Sequence, residues 1–172
     1  MSNRTPWRLC APNTLMAVAL LFAGSSSAAP GDDLSCAHFS SDPEDRSGPP
    51  IKFSADLSAA AQRAPTVSPG TGRADFVLQR DTLKFAWRVT FEGLTSQPIG
   101  LDIHGPVPAE GVAPVLFAVA QERFSSPVEG ERTLSLGEVA YLVQNLLYIN
   151  LRTGKYPEGE VRGRLRKLRP QC

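Results

Sequence analysis

Residues 83–91 read LKFAWRVTF, and this stretch decides the fold class because its apolar side chains recur at every second position. A period of two is the spacing of a β-strand with one buried and one solvated face. The turn signal Arg80-Asp81 precedes the stretch, and residues 74–78 alternate in the same way before that turn. The two segments together predict an antiparallel hairpin.

The same alternation recurs along most of the chain. Further strands are predicted at residues 51–57, 99–103, 147–151 and 160–168, and in the second of these Ile99 is expected to face inward. The continuous apolar run 115–120 is short enough for a strand that is covered on both faces. About seven short strands with Gly- and Pro-rich turns predict an all-β fold, an antiparallel, Greek-key-like β-sandwich with one short helix.

The predicted helix begins at Ser135. Ser135-x-x-Glu138 has the pattern of a capping box, and apolar residues follow it to about Asn145.

The first 28 residues have the composition of a secretory signal peptide. Arg4 and Arg8 precede an apolar run at residues 15–23, and small residues follow up to Ala28. The run is shorter than the roughly 20 apolar residues that span a bilayer. We therefore expect cleavage after Ala28 and no membrane-spanning segment afterwards, with an uncleaved N-terminal anchor as the alternative. The prediction is a secreted or periplasmic protein.

Residues 29–49 predict an acidic, extended leader, and residues 50–172 predict the folded domain. Cys36 and Cys172 are the cysteines that remain after signal removal. In an oxidising compartment they either form a disulfide or stay as two unpaired thiols, and the even number favours the disulfide. With two histidines and three cysteines in all, the chain cannot build a His-rich metal site or a four-cysteine zinc site.

Three segments together resemble the CHRD domain, a module that is named after chordin and also occurs in secreted microbial proteins. They are residues 53–57 followed by Gly72-x-Ala74-x-Phe76, residues 101–106 (LDIHGP), and residues 147–153 (LYINLRT) followed by 157–163 (PEGEVRG). The resemblance spans residues 50–168 and implies an exported β-sandwich, which is compared in fold with copper/zinc superoxide dismutase. In chordin, such domains belong to a protein that binds secreted growth factors. Where the family often has a histidine, this chain has Arg152, which puts a paired-histidine site in doubt.

His104 is the residue with the most chemical options. It could be a metal ligand, or a general base beside Asp102 on the same strand face. A copper or zinc site needs three or four donors, and the second histidine, His38, lies in the leader. We therefore predict that His104 ends a strand and bonds to backbone or to a carboxylate, and we predict no metal and no cofactor.

Asn150, Glu160 and Arg162 lie on adjacent predicted strands. Such a cluster is expected to fix the strand pairing through charge-assisted hydrogen bonds, with ligand recognition as the alternative.

The C-terminal segment carries a basic set, which is Arg162, Arg164, Arg166, Lys167 and Arg169. We expect a solvated strand edge that resists aggregation, with attraction to anionic surfaces as the alternative. An exported chain without interleaved aromatic residues is not expected to bind nucleic acid.

The sequence therefore predicts an exported, non-catalytic binding or structural module whose partner is an extracytoplasmic protein or an envelope component. The alternative is a metal-handling or superoxide-dismutase-like enzyme on a related sandwich fold.

Overall fold

The computed structural model of the chain describes residues 42–64, 66–107 and 111–169. Nine strands form there: β1 (Ile51–Ser58), β2 (Thr71–Leu78), β3 (Lys84–Glu92), β4 (Pro98–His104), β5 (Val115–Gln121), β6 (Val128–Thr133), β7 (Tyr148–Thr153), β8 (Val161–Arg164) and β9 (Arg166–Lys167). The helix α1 is Leu136–Val143, and a short 3-10 helix is Ala59–Ala61. The predicted signal peptide, most of the leader, His38, Cys36 and Cys172 lie outside the described residues.

The predicted hairpin is confirmed as β2 and β3, which pair antiparallel from Thr71 opposite Glu92 to Leu78 opposite Phe85. The Phe76 and Phe85 rings stack with their centroids 5.2 Å apart. The alternating apolar residues of the hairpin thus form one wall of the core, as their period of two requires.

The strands follow the order β5-β4-β7-β8-β1-β2-β3-β6 in one antiparallel sheet, and β9 pairs with β1 beside this path. The sheet bends so that its two ends approach each other. Phe117 on β5 lies 6.2 Å from Trp87 on β3 between ring centroids, and the Arg132 guanidinium of β6 lies 4.2 Å from the Phe117 ring centroid. The all-β prediction with one short helix is confirmed for the described residues, and the continuous sheet has an architecture between a sandwich and a barrel.

The predicted strand 160–168 is divided in two at Leu165. β8 pairs with β7 and, at Arg162, with Ser58 of β1, whereas β9 pairs with β1. Leu165 is buried, and its backbone N–H donates to the Leu147 carbonyl at 3.0 Å. The last segment therefore joins the two halves of the sheet, and the expectation that its basic residues form a solvated edge is wrong for β8.

The predicted helix is confirmed as α1. The Ser135 hydroxyl accepts from the Glu138 backbone, and the Glu138 carboxylate accepts from the Ser135 backbone at 2.7 Å. Val139, Leu142 and Val143 face the core. The capping box thus sets where the helix begins.

Two local predictions are wrong. The run 115–120 is a strand, but β5 stands at one end of the sheet and exposes Val115 and Ala118 instead of being covered on both faces. Ile99 is exposed because the pairing of β4 with β7 shifts register between Pro98 and Gly100.

The sequence patterns also miss β6, whose sequence VEGERT offers little apolar alternation. Two ion pairs tie it to β3, one between Lys84 and Glu131 at 2.9 Å and one between Arg88 and Glu129. Cross-strand charge pairs of this kind hold a strand in register without leaving a local signal.

The two halves of the sheet differ on their outer sides. The outer side of β1, β2, β3 and β6, here the open face, carries ion-paired side chains in solvent, which are Asp56, Arg73, Asp75, Lys84, Arg88, Glu129 and Glu131. The outer side of β4, β7 and β8, here the covered face, lies largely beneath residues 105–107 and 111–114, which together are called the cover segment. The polar and aromatic side chains of the covered face are Asp102, His104, Tyr148, Asn150, Arg152, Arg162 and Arg164.

Candidate functional site

The covered face collects most of the predicted site residues because the strand registers align them. Asp102, Asn150 and Arg162 lie in one row across β4, β7 and β8. His104, Tyr148 and Arg164 form the next row. Residues two apart on a strand share a face, so all six side chains point away from the core.

His104 binds the backbone of the cover segment. Its Nδ1 lies 2.9 Å from the Ala113 carbonyl oxygen, so Nδ1 carries the proton of the neutral ring and donates it. The ring stacks on Tyr148 with centroids 4.8 Å apart and planes 9° from parallel. The Nε2 atom is buried and has no hydrogen-bond partner among the described residues.

The surroundings of this imidazole favour its neutral form. Burial lowers the pKa of His104 below its ordinary value and outweighs the opposite effects of the Ala113 hydrogen bond and the Asp102 charge. Asp102 Oδ2 accepts from Arg152 Nε at 2.8 Å, whereas the ring nitrogen Nδ1 of His104 is bound to Ala113.

Tyr148 and Arg162 hold the same segment from the next two strands. The Arg162 guanidinium carbon lies 3.6 Å from the Tyr148 ring centroid, a cation–π contact that is strengthened where water is excluded. Arg162 Nη2 donates to the Gly111 carbonyl at 2.7 Å. The Tyr148 hydroxyl donates to the Ala113 carbonyl at 3.2 Å.

Arg164 adds a further contact to this arrangement. Its Nη2 donates to the Val107 carbonyl and its Nε donates to the Asn145 carbonyl, both at 2.9 Å. Three strands therefore bind the cover segment through backbone carbonyl oxygens, so the fit depends on the path of that segment more than on its side chains.

Arg152 takes the position where the related pattern often has histidine. Its guanidinium passes over Gly100, where a Cβ atom would collide with it, and reaches the buried Asp102 carboxylate. Because Arg152 stands here and its partner is a carboxylate, this position forms an ion pair.

Glu160 lies in a separate buried pocket at the end of β7. Its Oε1 accepts from the Ser68 hydroxyl at 2.6 Å and from the Thr95 backbone N–H at 2.7 Å, and its Oε2 accepts from the Thr153 hydroxyl at 2.6 Å. Burial raises the pKa of Glu160, but the hydrogen bonds from Ser68, Thr153 and Thr95 outweigh it and hold the pKa below its ordinary value. The carboxylate is therefore charged and bound by neutral donors.

Asn150 joins two loops to β7. Its Oδ1 accepts from Gln62 Nε2 and its Nδ2 donates to the Glu158 carbonyl, both at 2.8 Å. The neighbouring Gly159 has φ +141°, and a Cβ atom there would collide with the Asn150 and Gln62 side chains. This turn therefore requires glycine.

The structure does not gather Asn150, Glu160 and Arg162 into one cluster. Asn150 and Arg162 face each other in register, but each of the three side chains binds different partners. Among the described residues, no ion pair joins Glu160 to Arg162.

Sequence reasoning missed several residues of these networks. Tyr148 carries a detectable signal, since it alternates in phase with Asn150 on the same strand. Ser68 and Thr95 carry none, because they lie 92 and 65 residues from Glu160 in the chain.

Two features of the described part of the chain bear on the kind of site. No group of three or more His, Cys, Asp and Glu side chains in that part of the chain is placed to hold a metal ion. No helix there has the length and apolar character needed to cross a bilayer.

Comparison with known proteins supports the family resemblance of the three sequence segments, and the matched range includes the covered face. The sequence model of the CHRD domain matches residues 53–165, a range that runs from β1 to Leu165 and includes every residue of the two polar rows. The chain belongs to the CHRD domain family. No curated protein and no solved structure matches it significantly.

Proposed function

We propose that this chain is an exported, non-catalytic binding module whose partner is an extracytoplasmic protein or a component of the cell envelope. The CHRD domain family membership supports a binding or structural role in general. The signal-peptide pattern of residues 1–28 supports export.

One observation carries the non-catalytic part of the proposal: the polar side chains of the matched range bind the chain's own backbone and hydroxyl groups. Arg162, Arg164 and Tyr148 bind the cover segment, and both oxygens of Glu160 accept from Ser68, Thr95 and Thr153. A general acid or base must reach a substrate proton, and groups used in this way stabilise the scaffold instead.

The superoxide-dismutase-like alternative requires donors that converge on a metal. Around His104, the Nδ1 proton is used by Ala113, and the nearby Asp102 carboxylate is bound to Arg152. This arrangement favours a scaffold role for His104.

Two measurements test the proposal. In cell fractions of the native host, the protein should occur outside the cytoplasm with an N-terminus that begins after Ala28. The purified exported protein should contain copper and zinc at far below one ion per chain and should not dismutate superoxide. Stoichiometric metal that is lost in His104→Asn, or full retention of the protein in the cytoplasm, would contradict the proposal.

A further inference from the structure

The end of β3 forms a step in the sheet because its neighbour is shorter. β6 begins at Val128, opposite Val89, whereas β3 continues to Glu92. Beyond the pairing with β6, the Phe91 backbone N–H donates to the Ser126 hydroxyl at 3.0 Å instead of to a neighbouring strand. The loop that precedes β6 therefore borders the last three residues of β3.

Two cavities adjoin at this step. The first measures about 410 Å³ and the second about 320 Å³, and both are lined by Phe91, Glu92 and Ser126. The first extends over the adjacent end of β2, and the second extends along the loop between β3 and β4. We call the two cavities together the β3 cleft. Each has a volume in the roughly 300–1,000 Å³ range of small-molecule sites.

Two aromatic rings form the apolar part of the β3 cleft. The rings of Phe91 and Phe124 meet edge to face, with their centroids 5.9 Å apart and their planes at 89°. Both rings pack against the core and are only partly buried. The rings are therefore held in place and keep apolar surface open to a ligand, which reduces the entropy that binding would cost.

Hydroxyl and amide groups surround these rings. They belong to Thr71, Thr90, Gln97, Ser125 and Ser126. A hydroxyl group both donates and accepts hydrogen bonds, and an amide side chain offers both kinds of group as well. The lining therefore suits a ligand that carries many hydroxyl groups of its own.

The charged groups of the β3 cleft are one compensated cation and one open carboxylate. Arg73 is paired with Asp56 at 2.8 Å and with Asp75 at 3.1 Å. Glu92 is exposed and makes no hydrogen bond or ion pair with another described residue. A polyanion or an anionic membrane would therefore meet a negative charge here without an uncompensated positive one in the described lining.

This chemistry matches a neutral sugar. A carboxylate accepts hydrogen bonds from hydroxyl groups, and such charge-assisted bonds are stronger than neutral ones. A phenyl ring provides apolar surface for the C–H groups of a sugar ring. A peptide that adds to a sheet edge needs unpaired backbone groups, whereas the Phe91 N–H is bound to Ser126. We propose that the β3 cleft binds the sugar residues of a neutral polysaccharide. This inference rests on the proposed function and deepens it, since it names the chemical class of the envelope component.

The first test measures binding of the exported protein to dextran, laminarin, galactomannan and xyloglucan by titration calorimetry at 0.15 M salt. The unchanged protein should bind at least one of these four neutral polysaccharides. Glu92→Gln removes the open carboxylate and should bind it at least about fivefold more weakly. Glu158→Gln removes an equal charge from an exposed side chain elsewhere and should bind within about twofold of the unchanged protein.

The second test addresses the aromatic part of the β3 cleft. Phe124→Ala should also bind at least about fivefold more weakly, whereas Leu136→Ala, which truncates an exposed apolar side chain of α1, should bind within about twofold. Phe124→Tyr keeps the ring and should keep the binding, and thermal unfolding checks that each variant is folded. Because the ligand is uncharged, binding should change by less than about twofold between 0.05 and 0.5 M salt.

Equal binding by Glu92→Gln and Glu158→Gln would overturn the inference, as would failure of the unchanged protein to bind any of the four polysaccharides. Binding to dextran sulfate alone, with a steep loss at high salt, would overturn the choice of a neutral ligand. Failure to bind in a protein that is exported and free of metal refutes this inference alone, whereas cytoplasmic retention refutes the proposed function.

Discussion

In β1, buried and less buried residues alternate along the whole strand, whereas in β7 the first four consecutive residues are all buried. The open face therefore has water on its outer side, and the covered face has protein. The ion pairs on the open face lie in solvent, whereas the Asp102 carboxylate of the Arg152–Asp102 pair on the covered face is shielded from it. The same period of two in a sequence therefore occurs in two different environments. A polar side chain lowers stability more when unpaired, and raises it more when paired, on the face that is covered by protein.

The largest effect is expected at the most enclosed polar group. Glu160→Ala leaves the Ser68 hydroxyl, the Thr95 N–H and the Thr153 hydroxyl without their acceptor in a buried pocket. The free energy of unfolding should fall by about 4 kcal/mol, since each unsatisfied buried donor costs about 1–3 kcal/mol. Urea unfolding measures the loss.

The matched control is Glu158→Ala in the same turn, where the side chain is exposed, and it should change stability by less than about 0.5 kcal/mol. The pH dependence adds a second readout. Because the pKa of Glu160 is lowered on folding, its contribution is complete above the unfolded value of 4.5 and is lost as the pH falls through the folded value. Equal losses for the two variants would show that the Glu160 pocket is not a stabilising network.

The second effect compares two ion pairs of equal length. Arg152–Asp102 on the covered face and Arg73–Asp56 on the open face both measure 2.8 Å, but the aspartate side chains are 1% and 82% exposed. Asp102→Asn should lower the free energy of unfolding by about 2 kcal/mol, because it leaves a partly buried arginine without its counter-charge. Asp56→Asn should cost less than about 0.5 kcal/mol.

Chemical denaturation of both variants at low and high salt sharpens this comparison. Added salt should reduce the Asp56→Asn effect and leave most of the Asp102→Asn effect, since shielded pairs are screened less. If the two substitutions cost the same, the distinction between the faces has no energetic meaning.

The sequence predicted the open half of the sheet well because one face of its strands is solvated. Polar and apolar residues therefore alternate within each strand's own sequence. Phe85 and Trp87 alternate with Lys84 and Arg88, and the strand and its hairpin partner follow directly. β6 is the exception, since its register comes from charges on β3 that no window of its own sequence contains.

For the covered half, the sequence predicts the strands but not the segments that pack against their outer side. Alternation correctly turns Asp102 and Arg162 away from the core, but it does not say that the cover segment lies on that side. The sequence predicts Glu160 in a cluster with Asn150 and Arg162, whereas two of its actual partners, Ser68 and Thr95, come from loops more than sixty residues away, and the third is Thr153 on β7. Such contacts depend on the closed fold, so only the structure reveals them.

The smallest effect is expected from the pH dependence of His104, where the covered face meets the cover segment. Its pKa is lowered on folding by burial, so the unfolded chain takes up a proton first as the pH falls below the ordinary value of 6.5. The stability contributed by the neutral ring is therefore complete above that pH and declines as the pH falls towards the folded value, by at most about 1.4 kcal/mol per pH unit for one proton. Protonation of His104 in the folded state would add a positive charge near Arg162 and Arg152, whose charges lower its pKa. The negative charge of Asp102 has the opposite effect on that pKa.

The free energy of unfolding, measured in urea between pH 7.5 and 5.5, should fall more steeply in the unchanged protein than in His104→Asn. His38 is present in both proteins, so its titration cancels in the difference. Parallel profiles would mean that the ring of His104 is as accessible to water as an open-face residue, and the cover segment would then not shield this end of β4. A steeper profile in the unchanged protein links the burial of one imidazole to the packing of the cover segment, whose Ala113 carbonyl oxygen lies 2.9 Å from His104 Nδ1.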